Sequence, residues 1–184
     1  MIYLFLAPGF EEIEVVATID VIRRANLKIT TVSITDSRII TGAHGIGIEA
    51  DTLFADNVYN KARMLILPGG MPGTTNLGEY SPLTTLIKDH NKRGGKIAAI
   101  CAAPSILGQM HLLRNQQAVC YPGFEDELVG AFISKEPVVV SGNIITAKGP
   151  GYAAQFGLQI VKTLCGEAKA TEVAQGMLIS DTGH

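Results

Sequence analysis

Long apolar runs are missing from this 184-residue sequence. Its longest stretches of that kind, such as Met64-Leu65-Ile66-Leu67 and Val138-Val139-Val140, fall far short of the roughly 20 residues that span a bilayer, so no membrane partner is expected. Charge of one sign is scarce too. Lys and Arg number 15 against 17 Asp and Glu, giving a net charge of −2, and the basic residues are scattered. No basic face exists to release counterions from a phosphate backbone, which excludes nucleic acid as an expected partner.

Cysteine is limited to Cys101, Cys120 and Cys165. An odd number at wide spacing, without CxxC or a His/Cys cluster, supplies neither a disulfide framework nor a zinc set. No metal and no cofactor are expected, and thiol chemistry is the open question. The N-terminus runs Ile2-Tyr3-Leu4-Phe5-Leu6 into Pro8-Gly9 and an acidic stretch, without the basic flank or small-residue cleavage site of a secretory signal. The expected compartment is therefore the cytoplasm.

What is present is an alternation. No repeat or linker interrupts the chain, and short apolar runs alternate with amphipathic stretches of about 10–15 residues, as in βα units of a parallel sheet. The expectation is a single α/β domain over residues 1–184, a mostly parallel sheet covered by helices. Ile2–Leu6 reads as a strand, and Glu12, Val15, Val16, Ile19 and Ile22 recur at helical spacing up to Asn26. Lys28–Ser33, Gly45–Glu49 and Ala62–Leu67 read as strands, the last stopping at Pro68-Gly69-Gly70. Ser81–Arg93 reads as a helix capped by Gly94-Gly95, followed by the strand Lys96–Ile100. Further on come a helix from Ala102 to Leu113, strands Pro137–Ser141 and Asn143–Thr146, a helix from Gly151 to Leu164, and a last one between Lys169 and Ile179.

Cys101 follows the strand Lys96–Ile100 directly. Where a buried strand turns into a helix, unsatisfied N–H groups and the positive end of the helix dipole stabilise thiolate over thiol, so an acidic, nucleophilic Cys101 is expected. Gly69 and Gly70, at the end of the neighbouring strand, can present backbone N–H groups with no side chain in the way. With the N–H of Ala102 they form a candidate oxyanion site. On local sequence alone, a cysteine between Ile100 and Ala102 is more often a small buried hydrophobe than a nucleophile.

Four segments bear on that choice. Ala98-Ala99-Ile100-Cys101-Ala102-Ala103-Pro104 resembles the nucleophile-elbow segment of the DJ-1/PfpI superfamily, nearest its DJ-1/YajL/ThiJ branch. Ala7-Pro8-Gly9-Phe10-Glu11-Glu12-Ile13-Glu14 resembles that family's G-x-E-E-x-E stretch, Leu67-Pro68-Gly69-Gly70 its P-G-G turn, and Lys148-Gly149-Pro150-Gly151 its G-P-G turn. The resemblance implies a flavodoxin-like (class I glutamine amidotransferase-like) sandwich with helices on both faces of the sheet. It also implies that Glu14, otherwise one acid among three, hydrogen-bonds the cysteine sulfur. Such an acid has to be protonated beside a thiolate to avoid like-charge repulsion.

The chain departs from the pattern at one place. Many members carry a histidine near the cysteine, and the matching position here is Tyr121. His90 and His111 match no such role and are expected at the surface. A phenol is a poor base at neutrality, though Tyr121 can donate a hydrogen bond to a carbonyl or to sulfur. His44 falls in a loop near the site mouth in relatives, and either lines the site or is a solvated loop residue. Cys120 is a resolving thiol or a buried spectator, and Cys165 is expected in the core.

Three functions follow from the resemblance. The first is glyoxalase- or deglycase-like conversion of small reactive carbonyls, in which the Cys101 thiolate attacks an aldehyde and Glu14 shuttles the proton. The second is redox sensing or stress protection by an oxidant, with a Cys101 sulfinate held by N–H groups and Glu14. A PfpI-like amidohydrolase or peptidase ranks last, because the leaving amine needs a proton donor and the histidine is absent. Relatives are commonly homodimers, and the apolar helix from Ile13 to Ile22, with Arg23-Arg24 at its end, is the expected interface.

Overall fold

The computed structural model describes residues 1–179, so the last five of the expected 1–184 domain lie outside the described residues. In chain order the elements are β1 (Ile2–Leu6), α1 (Glu12–Arg24), β2 (Ile29–Ser33), β3 (Ile39–Thr41), β4 (Gly47–Glu49), β5 (Thr52–Leu53) and β6 (Met64–Leu67). Then follow α2 (Gly73–Glu79), α3 (Ser81–Lys92), β7 (Lys96–Ile100), α4 (Pro104–Gln109), β8 (Gln117–Ala118) and β9 (Phe132–Ile133). Last come β10 (Val138–Ser141), β11 (Ile144–Ala147), α5 (Ala153–Cys165) and α6 (Glu167–Gly176).

A strand buried on both faces needs apolar side chains at every position rather than at alternate ones. β1, β6 and the last four residues of β7 meet that condition, every one of them buried, and they pair in parallel at the centre of a seven-stranded sheet ordered β10-β11-β7-β6-β1-β2-β5. Only the β10–β11 pair is antiparallel. Side-chain alternation divides the core into two layers. Ile2, Leu4, Leu6, Met64, Ile66, Ala98 and Ile100 pack with Val15 and Ile22 of α1 and Phe156 and Ile160 of α5. Tyr3, Phe5, Leu65, Leu67, Ile97 and Ala99 pack on the other face with Leu83 and Ile87 of α3 and Leu107 of α4. Each fully buried Leu, Ile or Phe contributes about 1.5–3 kcal/mol, so these two layers outweigh the surface ion pairs in holding the sheet. This is the expected α/β sandwich.

Several local expectations change. The helix α2 begins three residues after Gly70; its sequence, Gly-Thr-Thr-Asn-Leu-Gly-Glu, has one large apolar residue and no readable period. β3 and β4 form a small hairpin, while β8 and β9 form a separate parallel pair. The helix expected from Ala102 to Leu113 is confined to Pro104–Gln109, with Met110 as its C-cap and His111 at positive φ beyond it. His90 is not at the surface. It is 3% exposed, on the Leu83/Ile87 face of α3, with Nε2 hydrogen-bonded to the Lys96 carbonyl at 3.1 Å. Cys165, expected in the core, is the last residue of α5 and is exposed, while Leu164 beside it packs on the core. Among the described residues no helix is long and apolar enough to cross a membrane.

From β1 the chain moves first to β2 on one side and then to β6 on the other. The loops leaving β1 and β6 therefore diverge, and open α/β sheets place their ligand crevice at the carboxyl ends of such strands.

Candidate active site

Cys101 stands at that edge. β7 ends at Ile100 and α4 starts only at Pro104, whose ring suits a first helical turn and lacks the N–H that would otherwise be left unpaired. The turn between them holds Cys101 at φ +65°, a left-handed conformation rare for residues with a Cβ and worth roughly 1–3 kcal/mol of strain. Neighbouring strand ends hold it there. Its N–H donates to the Ala147 carbonyl at 2.9 Å, and its carbonyl accepts from the Tyr121 N–H at 2.7 Å. The residue is 8% exposed.

Glu14 lies in the first turn of α1, fully buried under the cysteine. Oε2 accepts the Gly69 N–H at 2.7 Å, while no partner meets hydrogen-bond geometry at Oε1. The thiol and the carboxyl are still near enough to govern each other's titration. Gly69 explains the closeness. A Cβ built on it would lie 2.5 Å from the Cys101 Cβ, 3.0 Å from Sγ and 3.0 Å from Glu14 Oε2, so only glycine fits between acid and thiol.

Burial, partly opposed by the Gly69 N–H and the thiol, pushes the Glu14 carboxyl up to about 7. Burial, then the charge of Glu14, pushes the Cys101 thiol up to about 12, against the Gly70 and Ala102 N–H groups, which favour the thiolate. The expected acidity of Cys101 is therefore opposed by desolvation and by the neighbouring carboxylate, and supported by the Gly70 and Ala102 N–H groups. The two groups titrate against each other, and a thiolate forms here as the thiol proton passes to Glu14.

Of the expected oxyanion donors, Gly70 and Ala102 turn their N–H groups toward the sulfur, whereas the Gly69 N–H is taken by Glu14. Above them opens a cleft of 610 Å³ with Ile13, Ile46, Met71, Phe124 and Tyr121 as its apolar wall and Glu11, Glu12 and His44 as its polar one. Tyr121 is 47% exposed and leans on Gly149, so the position of the usual histidine is filled by a ring on the cleft wall. His44 lines the same cleft. Cys120 is buried in the α3/α4 layer while Cys101 belongs to the α1/α5 layer. Burial and the Glu125 charge push the Cys120 thiol up to about 12, so it is a poor resolving nucleophile.

Sequence reasoning passed over Glu12. Its Oε1 accepts the N–H groups of His44 and Ile46 at 2.7 and 3.3 Å, and Oε2 meets His44 Nδ1 at 2.9 Å. Burial raises this carboxyl, but the three donors outweigh it and hold it below its ordinary range. One ligand atom from each of Glu11, Glu12 and His44 falls within 4.8 Å of the others. A cation there would have to displace the loop N–H groups from Glu12, so the set reads as a hydrogen-bonded pair with an acidic neighbour.

A family model described as the DJ-1/PfpI family matches residues 1–163. The chain is 36% identical over 179 residues to protein dj-1beta of Drosophila melanogaster, covering 96% of both chains. It is 33% identical over 172 residues to the glutathione-independent glyoxalase DJR-1.2 of Caenorhabditis elegans, covering 92% of this chain and 91% of the other. The solved structure titled Toxoplasma gondii DJ-1, oxidized, superposes with a TM-score of 0.93 at 33% identity, covering 97% of this chain and 98% of that one. On a match running from the first strand into α5, this chain belongs to the DJ-1/PfpI family.

Proposed function

We propose that the protein converts small reactive carbonyls through Cys101, with Glu14 as its proton partner. The observation that carries this reading is a strained elbow cysteine on the floor of an open cleft, one glycine away from a buried acid that titrates near 7. As sulfur bonds to the aldehyde carbon, the thiol proton moves to Glu14 and the Gly70 and Ala102 N–H groups stay close to the developing charge. A substrate such as methylglyoxal is rearranged to lactate without an external oxidant. The name of the C. elegans relative supports the same chemistry.

The two N–H groups at the sulfur also suit a sulfinate, and one relative's structure is titled oxidized, which supports the sensing alternative. A PfpI-like hydrolase ranks below both, with Tyr121 in the place of the histidine. One experiment divides the first two: a methylglyoxal-to-lactate assay on wild type and Cys101→Ser, with mass spectrometry after peroxide titration. Turnover lost in the variant supports the enzyme. Selective sulfinate at Cys101 without turnover supports the sensor.

The same reading includes a homodimer through α1, where Ile13 and Val16 are 59% and 53% exposed although apolar, while the Ile22 and Val15 of the expected interface face the core. Val16→Glu is expected to yield monomers in light scattering; an unchanged mass removes α1 as the interface. Free thiols at all three cysteines, one of them exposed, suit a reducing cytoplasm.

A further inference from the structure

Two groups on the cleft wall have no part in the chemistry so far. Glu12 is almost wholly buried, yet its carboxylate is directed at a loop 32 residues away in sequence. The loop is shaped around it. A Cβ on Gly42 would lie 2.4 Å from both Cδ and Oε1 of Glu12, so this position is left open for the carboxylate. With Oε1 holding the loop backbone and Oε2 on Nδ1, the His44 ring is fixed in place and its Nε2 is the nitrogen left free. The ring is mostly exposed and lines the cavity that has Cys101 on its floor.

A carboxylate that orients a histidine by one ring nitrogen, leaving the other unbound on a residue that lines a nucleophile's cleft, is an arrangement that moves protons. We infer that the Glu12–His44 pair is the proton donor and acceptor for carbon chemistry in this cleft, supplying from the rim what Tyr121 cannot supply from the usual histidine position. His44 is the catalytic residue, and Glu12 a positioning residue. The inference rests on the carbonyl reading proposed above.

The hydrogen bond to Glu12, followed by the charges of Glu11 and Glu12, raises the ring's titration and so favours the donor form with which the cycle opens. The other titratable groups on the cleft are Cys101 and Tyr121, with Glu14 beneath the thiol; among the lining residues no Lys or Arg opposes that protonation. With a 2-oxoaldehyde, sulfur bonds to the aldehyde carbon, the π pair moves to its oxygen, and Nε2–H protonates that oxygen. The neutral ring then takes the hydrogen of the aldehyde carbon as a proton and passes it to the ketone oxygen, giving an enediol. It next takes the hydroxyl proton of the former aldehyde and delivers it to the ketone carbon as the thioester carbonyl forms, which leaves the ring neutral. The aldehyde carbon is oxidised by two electrons and the ketone carbon reduced by two, so the step needs no redox partner. Water, giving a proton to the neutral ring as it attacks, then hydrolyses the thioester to the 2-hydroxy acid, and the departing sulfur recovers its proton from Glu14, so that ring, acid and thiol all return to their starting states.

The test follows methylglyoxal conversion to lactate by the full chain: wild type, Cys101→Ser, His44→Ala and Glu12→Gln, with and without added imidazole. The expected result is a fall in kcat of about 10²-fold or more in His44→Ala with KM little changed. Imidazole should restore the rate saturably, Glu12→Gln should shift the pH–rate profile to lower pH, and EDTA should leave wild type unaffected. Iodoacetamide should still label Cys101 in His44→Ala at the wild-type rate, which separates a lost proton carrier from a lost fold. Wild-type turnover that survives His44→Ala, a loss that imidazole does not rescue, or a loss on chelation overturns the pair's role. Absence of Cys101-dependent turnover in wild type refutes the carbonyl reading, and this inference with it.

Discussion

The floor and the rim of the cleft each contain a buried glutamate from the first turn of α1, and their surroundings shift the two titrations in opposite directions. Glu14, on the floor, accepts one N–H and has an unpartnered Oε1, and burial lifts it to about 7. Glu12, two residues earlier, accepts three donors from the loop at 42–46 and lies below its ordinary range. Burial alone therefore does not decide charge. The number of donors that fold toward each oxygen does, and this lets a single helical turn offer a proton reservoir to the sulfur and a fixed anion to the histidine.

Cys101→Ser is the largest break on the floor: lactate formation in the coupled assay is expected to fall to background, while circular dichroism keeps the wild-type spectrum. Glu14→Gln sharpens the protonation contrast. Between pH 4.5 and 7 the folded chain retains a Glu14 proton that the unfolded chain has released, so that stabilisation is complete below pH 4.5 and lost as pH rises through 7. It amounts to about 3 kcal/mol, and chemical denaturation across pH 4.5–7.5 should show that contribution in wild type and its loss in the variant. An equal slope in both would remove Glu14 as its source.

Gly69→Ala tests the gap between acid and thiol. With its Cβ 2.5 Å from that of Cys101, the substitution should cost about 1–3 kcal/mol in denaturant midpoints and slow iodoacetamide labelling of Cys101. The smallest effect belongs to the rim. For Glu12, held below its ordinary range, stability is present above the unfolded value and lost as pH falls through the folded one. Glu12→Gln should flatten the acid limb below pH 4.5, opposite in sign to Glu14→Gln, with thermal melts at pH 3 and 7 as the check.

Part of the floor was legible in the sequence as contiguous signals, Cys101 after an apolar strand and Gly69-Gly70 after another, whereas Glu14 was set apart from the other acids of its turn only by the family resemblance. The central strands were legible for the same reason, as runs apolar at every position. The rim was not. Glu12 and His44 are 32 residues apart, and nothing local distinguishes Glu12 from Glu11. His90 did leave a signal in its spacing from Leu83 and Ile87, which places all three on one helix face, but its polarity favoured a surface reading. The direction of the Cys101 shift was hidden because a helix start can be read from sequence while its length and the burial around it cannot.

The positive φ at Cys101 also bears on how this protein can change over time. The elbow is a conformation that glycine adopts freely, yet it is occupied by a residue that resists it, so the thiol stands at position 101 at the expense of backbone comfort. Laboratory evolution under heat alone would be free to abandon the thiol there, and a lineage gaining thermostability would lose chemistry first at the elbow. A library selected for both properties has to place its stabilising substitutions elsewhere, in the two apolar layers or on the helix surfaces, and leave the carboxyl edge of the sheet as it stands.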